Sequence, residues 1–171
     1  DVAFKIANLW LNIGDGRGFV EFGTLVTDKI DNTTEIIGMV MGLFSRVEGT
    51  EDFVILTSAG KMRILYSPKF DSVWEGKSYP TSIARLNFND DQMDDIAVLH
   101  CDRMITVFVS TEYDIFDRNY LSFGIDVNGS NITCSHSLKV ADLNQDDEDD
   151  LIFIDTEYNA VRVALNTFCD D

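Results

Sequence analysis

Basic residues are few in this sequence, and long apolar runs are missing altogether. Lys and Arg total 13 against 30 Asp and Glu, which gives a formal net charge of -17 at pH 7. Nucleic acid and anionic lipid would have to approach against electrostatic repulsion, so neither is an expected partner. No apolar run reaches the roughly 18 residues of a membrane span, and no signal-peptide pattern precedes Asp1, so membrane insertion is not expected either. Cations are the partners that this composition favours.

Histidine is nearly absent, which limits the catalytic chemistry available to the chain. The two histidines, His100 and His136, each stand beside a predicted strand, and no nucleophile motif surrounds any Ser or Cys. A carboxylate pair for glycoside hydrolysis stays open, because any two of the 30 acidic residues could meet. The sequence therefore predicts a structural or binding protein that is not an enzyme.

Cysteines and glycosylation sequons are the sequence features that indicate where in or outside the cell the protein is found. Sequons begin at Asn32, Asn128 and Asn131, which predicts an extracellular or secreted glycoprotein. One disulfide among the three cysteines would leave an odd thiol, which could form an intermolecular bridge or be buried and inert. The cysteines are Cys101, Cys134 and Cys169.

The clearest positive signal is an acidic segment that recurs along the chain. VADLNQDDEDDLIFI at 140–154 overlays RLNFNDDQMDDIAVL at 85–99. The overlay matches Asn87 with Asp142, Asn89 with Asn144, Asp91 with Asp146, and Asp95 with Asp150. A weaker copy at 44–52 keeps Glu48 and Asp52 but has Phe44 and Arg46 at the first two oxygen-bearing positions. A fourth copy begins in mid-motif at Asp1.

Each terminal Asp precedes two apolar runs separated by a short polar turn. These runs are FVIL and MRILY, IAVL and MITVFV, and LIFI and AVRVAL. They are rich in Val, Ile and Phe and too short for helices, so they predict β-hairpins. Their continuous apolar character predicts strands that are covered on both faces.

The spacing of the repeat predicts the architecture. Asp residues at 1, 52, 95 and 150 are separated by 51, 43 and 55 residues, which is near the period of about 40 to 50 that is typical of β-propeller blades. We therefore expect an all-β fold of propeller-type blades, each with about four short antiparallel strands. One domain of 171 residues would hold approximate units 1–38, 39–82, 83–137 and 138–171. A β-sandwich is the alternative, but it does not explain why the acidic loop recurs.

The acidic loops have the ligand pattern of a hard cation. In loop 142–150, oxygen-bearing residues alternate and a carboxylate closes the loop, which suits calcium. Zinc is disfavoured because the loop has no Cys or His. An EF-hand is disfavoured because Phe153 stands where its bidentate Glu would fall. A solvated acidic turn is the alternative interpretation.

Position 6 of the two loops is Gln92 and Asp147, so we expect these residues to adopt the sharp turn without glycine.

The pattern Asp-x-Asn-x-Asp-x-x-x-Asp before an apolar strand resembles the calcium loop of FG-GAP repeats. These repeats, also called VCBS-type, form blades of the integrin α-subunit propeller and of many secreted proteins. Phe22-Gly23, Phe123-Gly124 and LNIGDGRGF at 11–19 add to the resemblance. The resemblance implies that each loop joins the two innermost strands of a blade and that calcium stiffens the propeller. The implied ligands are Asp142, Asn144, Asp146 and Asp150 with the carbonyl of Glu148, and Asn87, Asn89, Asp91 and Asp95 with the carbonyl of Met93.

Departures from the family pattern qualify these implied sites. Asn87 removes a formal charge, so the loop at 87–95 is expected to bind calcium more weakly than the loop at 142–150. Neither loop has glycine at position 6. The loop at 44–52 is expected to bind no metal.

The incomplete end units leave three arrangements open. The first unit lacks an inner strand and the last lacks an outer strand, whereas propellers of the family usually have seven blades. The chain could be a closed four-bladed propeller, a fragment of a larger propeller receptor or secreted hydrolase, or a subunit completed by strand complementation.

The favoured function is an extracellular calcium-binding structural or cell-adhesion module. Such a module would self-associate end to end or bind another extracellular protein. A lectin-like propeller that binds glycans is the alternative, with Trp10, Trp74 and the five tyrosines as stacking residues if they are not part of the core.

Overall fold

The structure is a computed structural model, and the part of it that can be described is all-β. The described residues are 6–12, 19–26, 35–44, 52–65, 79–89, 91–102, 104–110, 120–124, 134–135, 137–156 and 158–167. Every regular element among them is a strand, as the short Val- and Ile-rich runs predict. No helix in these ranges has the length and apolar character needed to cross a bilayer.

The chain divides into two compact units, Asp1–Thr34 and Glu35–Asp171. The first unit contains β1 (Ile6–Asn12) and β2 (Phe19–Val26), which pair antiparallel with a register shift between Leu9 and Trp10. Phe22-Gly23 lies in β2.

The second unit contains three antiparallel sheets whose strands follow chain order. The first sheet consists of β3 (Ile36–Gly42), β4 (Asp52–Thr57) and β5 (Met62–Leu65). The second consists of β6 (Pro80–Leu86), β7 (Asp95–His100), β8 (Met104–Phe108) and β9 (Tyr120–Gly124). The third consists of β10 (Leu138–Ala141), β11 (Asp150–Asp155) and β12 (Ala160–Ala164).

The three predicted hairpins are confirmed. The paired apolar runs form β4 with β5, β7 with β8, and β11 with β12. Phe123-Gly124 lies in β9, at the edge of the second sheet, where the resemblance places an outer strand. Strands β3 and β6 begin at Ile36 and Pro80, three residues before the approximate unit boundaries at 39 and 83, and β10 begins at Leu138, where the last unit begins.

Two apolar cores hold the three sheets together. The first core lies between the first and second sheets and includes Val54, Leu56, Ile96 and Val98. The second lies between the second and third sheets and includes Leu99, Ile105, Leu151 and Phe153. Strand β7 is buried at all six residues because it has a core on each face, which explains its uninterrupted apolar sequence.

The first strands of the sheets lie close together. Strand β6 contacts both β3 and β10. At Gly38 of β3, an added Cβ would lie 2.7 Å from Ile83 Cγ2 of β6, so this approach requires glycine.

A disulfide joins Cys101, in the turn after β7, to Cys134, in the segment before β10. This is one of the pairings that the sequence leaves open. The predicted features that lie outside the described residues are Cys169, His136, Trp74 and the sequons at Asn32, Asn128 and Asn131.

Candidate metal centre

The two acidic loops occupy equivalent places in their sheets. Leu86 and Asp95 are the last paired residues before the loop of the β6–β7 hairpin, and Ala141 and Asp150 are the last before the loop of the β10–β11 hairpin. Each loop therefore joins the first two strands of a sheet and ends with a buried Asp that begins the second strand.

The third, weaker copy is one residue longer, so the ungapped overlay at 44–52 is wrong at its start. In this sheet Gly42 pairs with Asp52. Leu43, and not Phe44, is thus the residue that follows the strand as Asn87 and Asp142 do. Phe44 is fully buried in the first core. The residues at 45–51 lie outside the described ranges.

Loop positions 3, 5 and 7 have the same hydrogen bonds in both loops. Asn144 Nδ2 donates to Asp146 at 2.6 Å, and Asn89 Nδ2 donates to Asp91 at 3.1 Å. The backbone N–H of position 7 donates to the same carboxylate, from Glu148 to Asp146 and from Met93 to Asp91. The candidate ligand residues at positions 3, 5 and 7 are therefore neighbours in space.

The closing Asp of each loop is completely buried and doubly hydrogen bonded. Asp95 accepts the N–H of Phe88 at 2.9 Å and that of Ser110 at 2.7 Å. Asp150 accepts from Leu143 and Asn166 at 2.9 and 2.8 Å. This carboxylate ties the start of its loop to the segment that follows the hairpin.

Position 1 differs between the loops. The Asp142 carboxylate accepts three backbone N–H groups of its own loop, those of residues 145, 146 and 147, at 2.6 to 3.3 Å. Asn87 instead directs its amide toward the other loop, where Nδ2 lies 3.5 Å from the carbonyl oxygen of Asp147. The Asn at position 1 therefore leaves loop 87–95 without the carboxylate around which loop 142–150 folds.

The sharp turn at position 6 is present in both loops. Gln92 has φ of 67° and Asp147 has φ of 69°, in the left-handed region that glycine usually occupies. This confirms that these two residues adopt the turn without glycine. Gln145, at position 4, is also left-handed, with φ of 64°.

Position 8 carries a contact that sequence reasoning missed. Asp149 Oδ2 accepts the backbone N–H of Asn87 at 2.7 Å, and the Asp149 N–H donates to the Asn87 carbonyl at 3.0 Å. Asp94 makes the same pair of bonds to Leu43, at 2.7 and 3.0 Å. We call this two-bond contact the inter-sheet clamp. Its only sequence signal is the Asp-Asp pair at positions 8 and 9 of both loops.

Burial perturbs one of the loop carboxylates. Loss of solvent raises the pKa of Asp95 from 3.8 to about 7, although the N–H groups of Ser110 and Phe88 oppose the shift. The nearby Asp91 and Asp94 add repulsion in the same direction as burial. A cation beside this carboxylate would favour its ionised form.

The residue types in the loops are those that bind a hard cation such as calcium. The loops present carboxylate, amide and carbonyl oxygens, which are the ligands of hard cations. Asn89 Oδ1 is buried and accepts no hydrogen bond from the described residues, so it is an oxygen available to a cation. Within those residues no three His, Cys, Asp or Glu side chains converge on one point. Binding would thus require Asn and carbonyl oxygens, and carboxylates that turn from N–H groups to the ion.

Other side chains considered from sequence have ordinary surroundings. His100 is buried, and its Nε2 lies 3.0 Å from Thr106 Oγ1. Tyr79 and Tyr158 are exposed. The Arg162 guanidinium lies over the Tyr158 ring, with its Cζ atom 5.3 Å from the ring centre.

Comparison of the chain with protein-family models, with curated proteins and with solved structures found no match.

Proposed function

We propose that this protein is an extracellular calcium-binding structural or adhesion module built of propeller-type blades. One observation carries the proposal: two loops of matching sequence have matching hydrogen bonds and stand at matching positions before the second strand of a sheet. The equal position of the two loops in their sheets is what a repeated blade predicts. Repeated metal loops of a repeated blade would share it.

The packing of the second unit supports the blade arrangement. Sheets of three or four antiparallel strands pack face to face, and their first strands lie side by side. Blades of a propeller bury their faces in this way because each sheet is too small to be stable alone.

Charge supports calcium as the cofactor, and the disulfide supports the compartment. A net charge of -17 concentrates cations near the surface, and the loops concentrate carboxylates further. The Cys101–Cys134 disulfide is typical of secreted and extracellular proteins.

Thermal unfolding in calcium, in magnesium and in chelator tests the proposal. At calcium tenfold above Kd, each site adds about 1.4 kcal/mol, which corresponds to a rise of about 3 to 6 °C in Tm. Asp146→Asn should lose the stabilisation that calcium in loop 142–150 provides, since the substitution removes a negative charge from the proposed ligands. Glu35→Gln, an exposed acid outside the loops, is the matched control and should respond like the wild type. A Tm that is the same in calcium and in chelator would contradict calcium binding.

An exposed apolar face supports self-association as the second part of the proposal. On the outer side of the third sheet, Ile154, Val161 and Val163 are 43%, 70% and 48% exposed. Strand pairing makes them equivalent to Leu99, Ile105 and Val107 of the second sheet. Those three are at most 1% exposed because the third sheet covers them. The outer face thus has the composition of a surface that receives another sheet, which we propose a second copy of the chain supplies.

Light scattering across a range of protein concentrations tests this self-association. The wild type should gain mass with concentration, and Val161→Asp should remain monomeric because a buried charge opposes the contact. Tyr79→Asp places the same charge at an exposed residue away from this face and should associate like the wild type. A wild-type monomer at all concentrations would overturn self-association without affecting the calcium proposal.

A further inference from the structure

A cavity of about 440 Å³ lies between the second and third sheets. Leu86, Val107, Leu151 and Ala164 form its apolar walls, and Asp149 and Thr167 are among its polar lining residues. This volume is within the range of small-molecule sites, which are commonly apolar with a few polar groups.

The cavity has a specific origin in the repeat. Phe108 pairs with Ile96, one residue after Asp95, and Ala164 pairs with Leu151, one residue after Asp150. Ala164 therefore takes the place that Phe108 has in the neighbouring interface. Phe108 fills the first core and is 3% exposed. The missing ring accounts for space in the second core at the equivalent point.

Larger residues elsewhere in the second core do not fill this space. Leu86 stands where the first interface has Gly42, and Phe153 stands where it has Val98. Leu86 forms one wall of the cavity, and Phe153 packs in the core outside it. The cavity opens to solvent and has the exposed residues Leu165 and Thr167 in its lining, so a small molecule can enter it.

The polar lining identifies the charge of that ligand. Asp149 accepts the Asn87 N–H through Oδ2, and an ionised carboxylate can accept about four hydrogen bonds in total. The net charge of -17 also favours a cation over an anion. We propose that the cavity binds a small organic amine whose aromatic ring occupies the place of the missing Phe side chain and whose protonated nitrogen contacts Asp149. The proposal does not rest on the calcium loops, because Asp149 is not one of the candidate metal ligands.

Methyl NMR of the full chain with 2-phenylethylammonium as the probe tests the site. We expect saturable shifts confined to the methyl groups that line the cavity, with Kd on the order of 1 mM or lower, as expected for a ligand of this size. These methyl groups belong to Leu86, Val107, Leu151, Ala164 and Leu165. The neutral 2-phenylethanol should bind about tenfold more weakly, and Asp149→Asn should abolish this preference for the amine. No saturable shift at these methyl groups would overturn the proposal, whichever variants fold.

Two variants of one strand test the position of the ring. Ala164→Phe restores the ring of the other interface and should reduce probe binding by more than about tenfold. Ala160→Phe adds the same ring to β12 outside the cavity and should leave binding unchanged. Equal loss in both variants, or unchanged binding in Ala164→Phe, would contradict the assigned position.

A peptide with an N-terminal Phe presents the same aromatic ring and protonated amine as the probe. Binding of that peptide without binding of the free amine would overturn the assignment to a small amine.

Discussion

At the scale of single residues, neighbouring acids in the same loop have different roles. Asp146 is exposed at the surface, Asp150 is buried, and Asp149 between them reaches across to another sheet. A cluster of carboxylates that repel one another is therefore maintained for several separate contacts. The sequence shows the cluster, but only the structure separates the contacts.

Loss of the Asp149 carboxylate should destabilise the protein. Asp149→Ala leaves the half-buried Asn87 N–H without its acceptor, which costs about 1 to 3 kcal/mol in the free energy of unfolding. Asp149→Asn retains an oxygen acceptor, so we expect a smaller loss. Urea denaturation measures both. If the two variants unfold at the same urea concentration as the wild type, the inter-sheet clamp does not contribute to stability.

The pKa of Asp95 gives stability a specific dependence on pH. Because the folded pKa is raised from 3.8 to about 7, the folded state binds this proton more tightly than the unfolded state. Its contribution is complete below about pH 4 and is lost as pH rises through about 7. In chelator, the free energy of unfolding of the wild type should fall over this range more steeply than that of Asp95→Asn. Equal slopes for the two proteins would show that Asp95 does not titrate in this way.

At the scale of elements, local sequence was sufficient for the hairpins. The runs at 96–99 and 104–109 are continuous and apolar, and they became β7 and β8 because a strand with a core on each face needs no polar alternation. The left-handed turn at Gln92 and Asp147 was also predictable from local sequence, because the two loops have equal length and match position by position.

Contacts between sheets were not predictable from local sequence. Asp149 and Asn87 are 62 residues apart, and no periodic pattern connects them. The extra residue in the loop after Gly42 was also not predictable, because only strand pairing shows at which residue the strand ends and the loop begins. The equivalence of Ala164 with Phe108 also required the register of both hairpins.

Gly42 should be essential for the close approach of β3 to the second sheet. An added Cβ would lie 2.6 Å from Asp94 Oδ2 and 2.9 Å from Arg85 Cδ, so the Asp94 carboxylate would have to move away from the Leu43 N–H. Gly42→Ala should lower the free energy of unfolding by about 1 to 3 kcal/mol.

A double-mutant cycle with Asp94→Ala tests the cause of this loss. If Gly42→Ala acts by displacing Asp94, the double variant should lose less than the sum of the two single losses. Strict additivity would mean that the methyl group acts through another contact.

At the scale of the whole molecule, the charge and the repeated acidic loops both favour cations. A net charge of -17 opposes compaction unless cations offset it, and the repeat places carboxylates of each loop beside an inter-sheet clamp. Calcium in a loop would therefore stiffen the contact between sheets as well as the loop itself. We expect the two loops to differ in affinity, because Asn87 replaces the carboxylate that Asp142 supplies.

Calorimetric titration of calcium into protein stripped with chelator tests the central claim most directly. We expect saturable binding with Kd on the order of 10⁻⁴ to 10⁻³ M, in the range of extracellular calcium modules. The tighter component should disappear in the double variant Asp142→Asn, Asp146→Asn, and Asn87→Asp should strengthen the weaker component. Absence of calcium uptake at about 10 mM calcium, or binding that none of these substitutions changes, would contradict the assignment of these loops as metal sites.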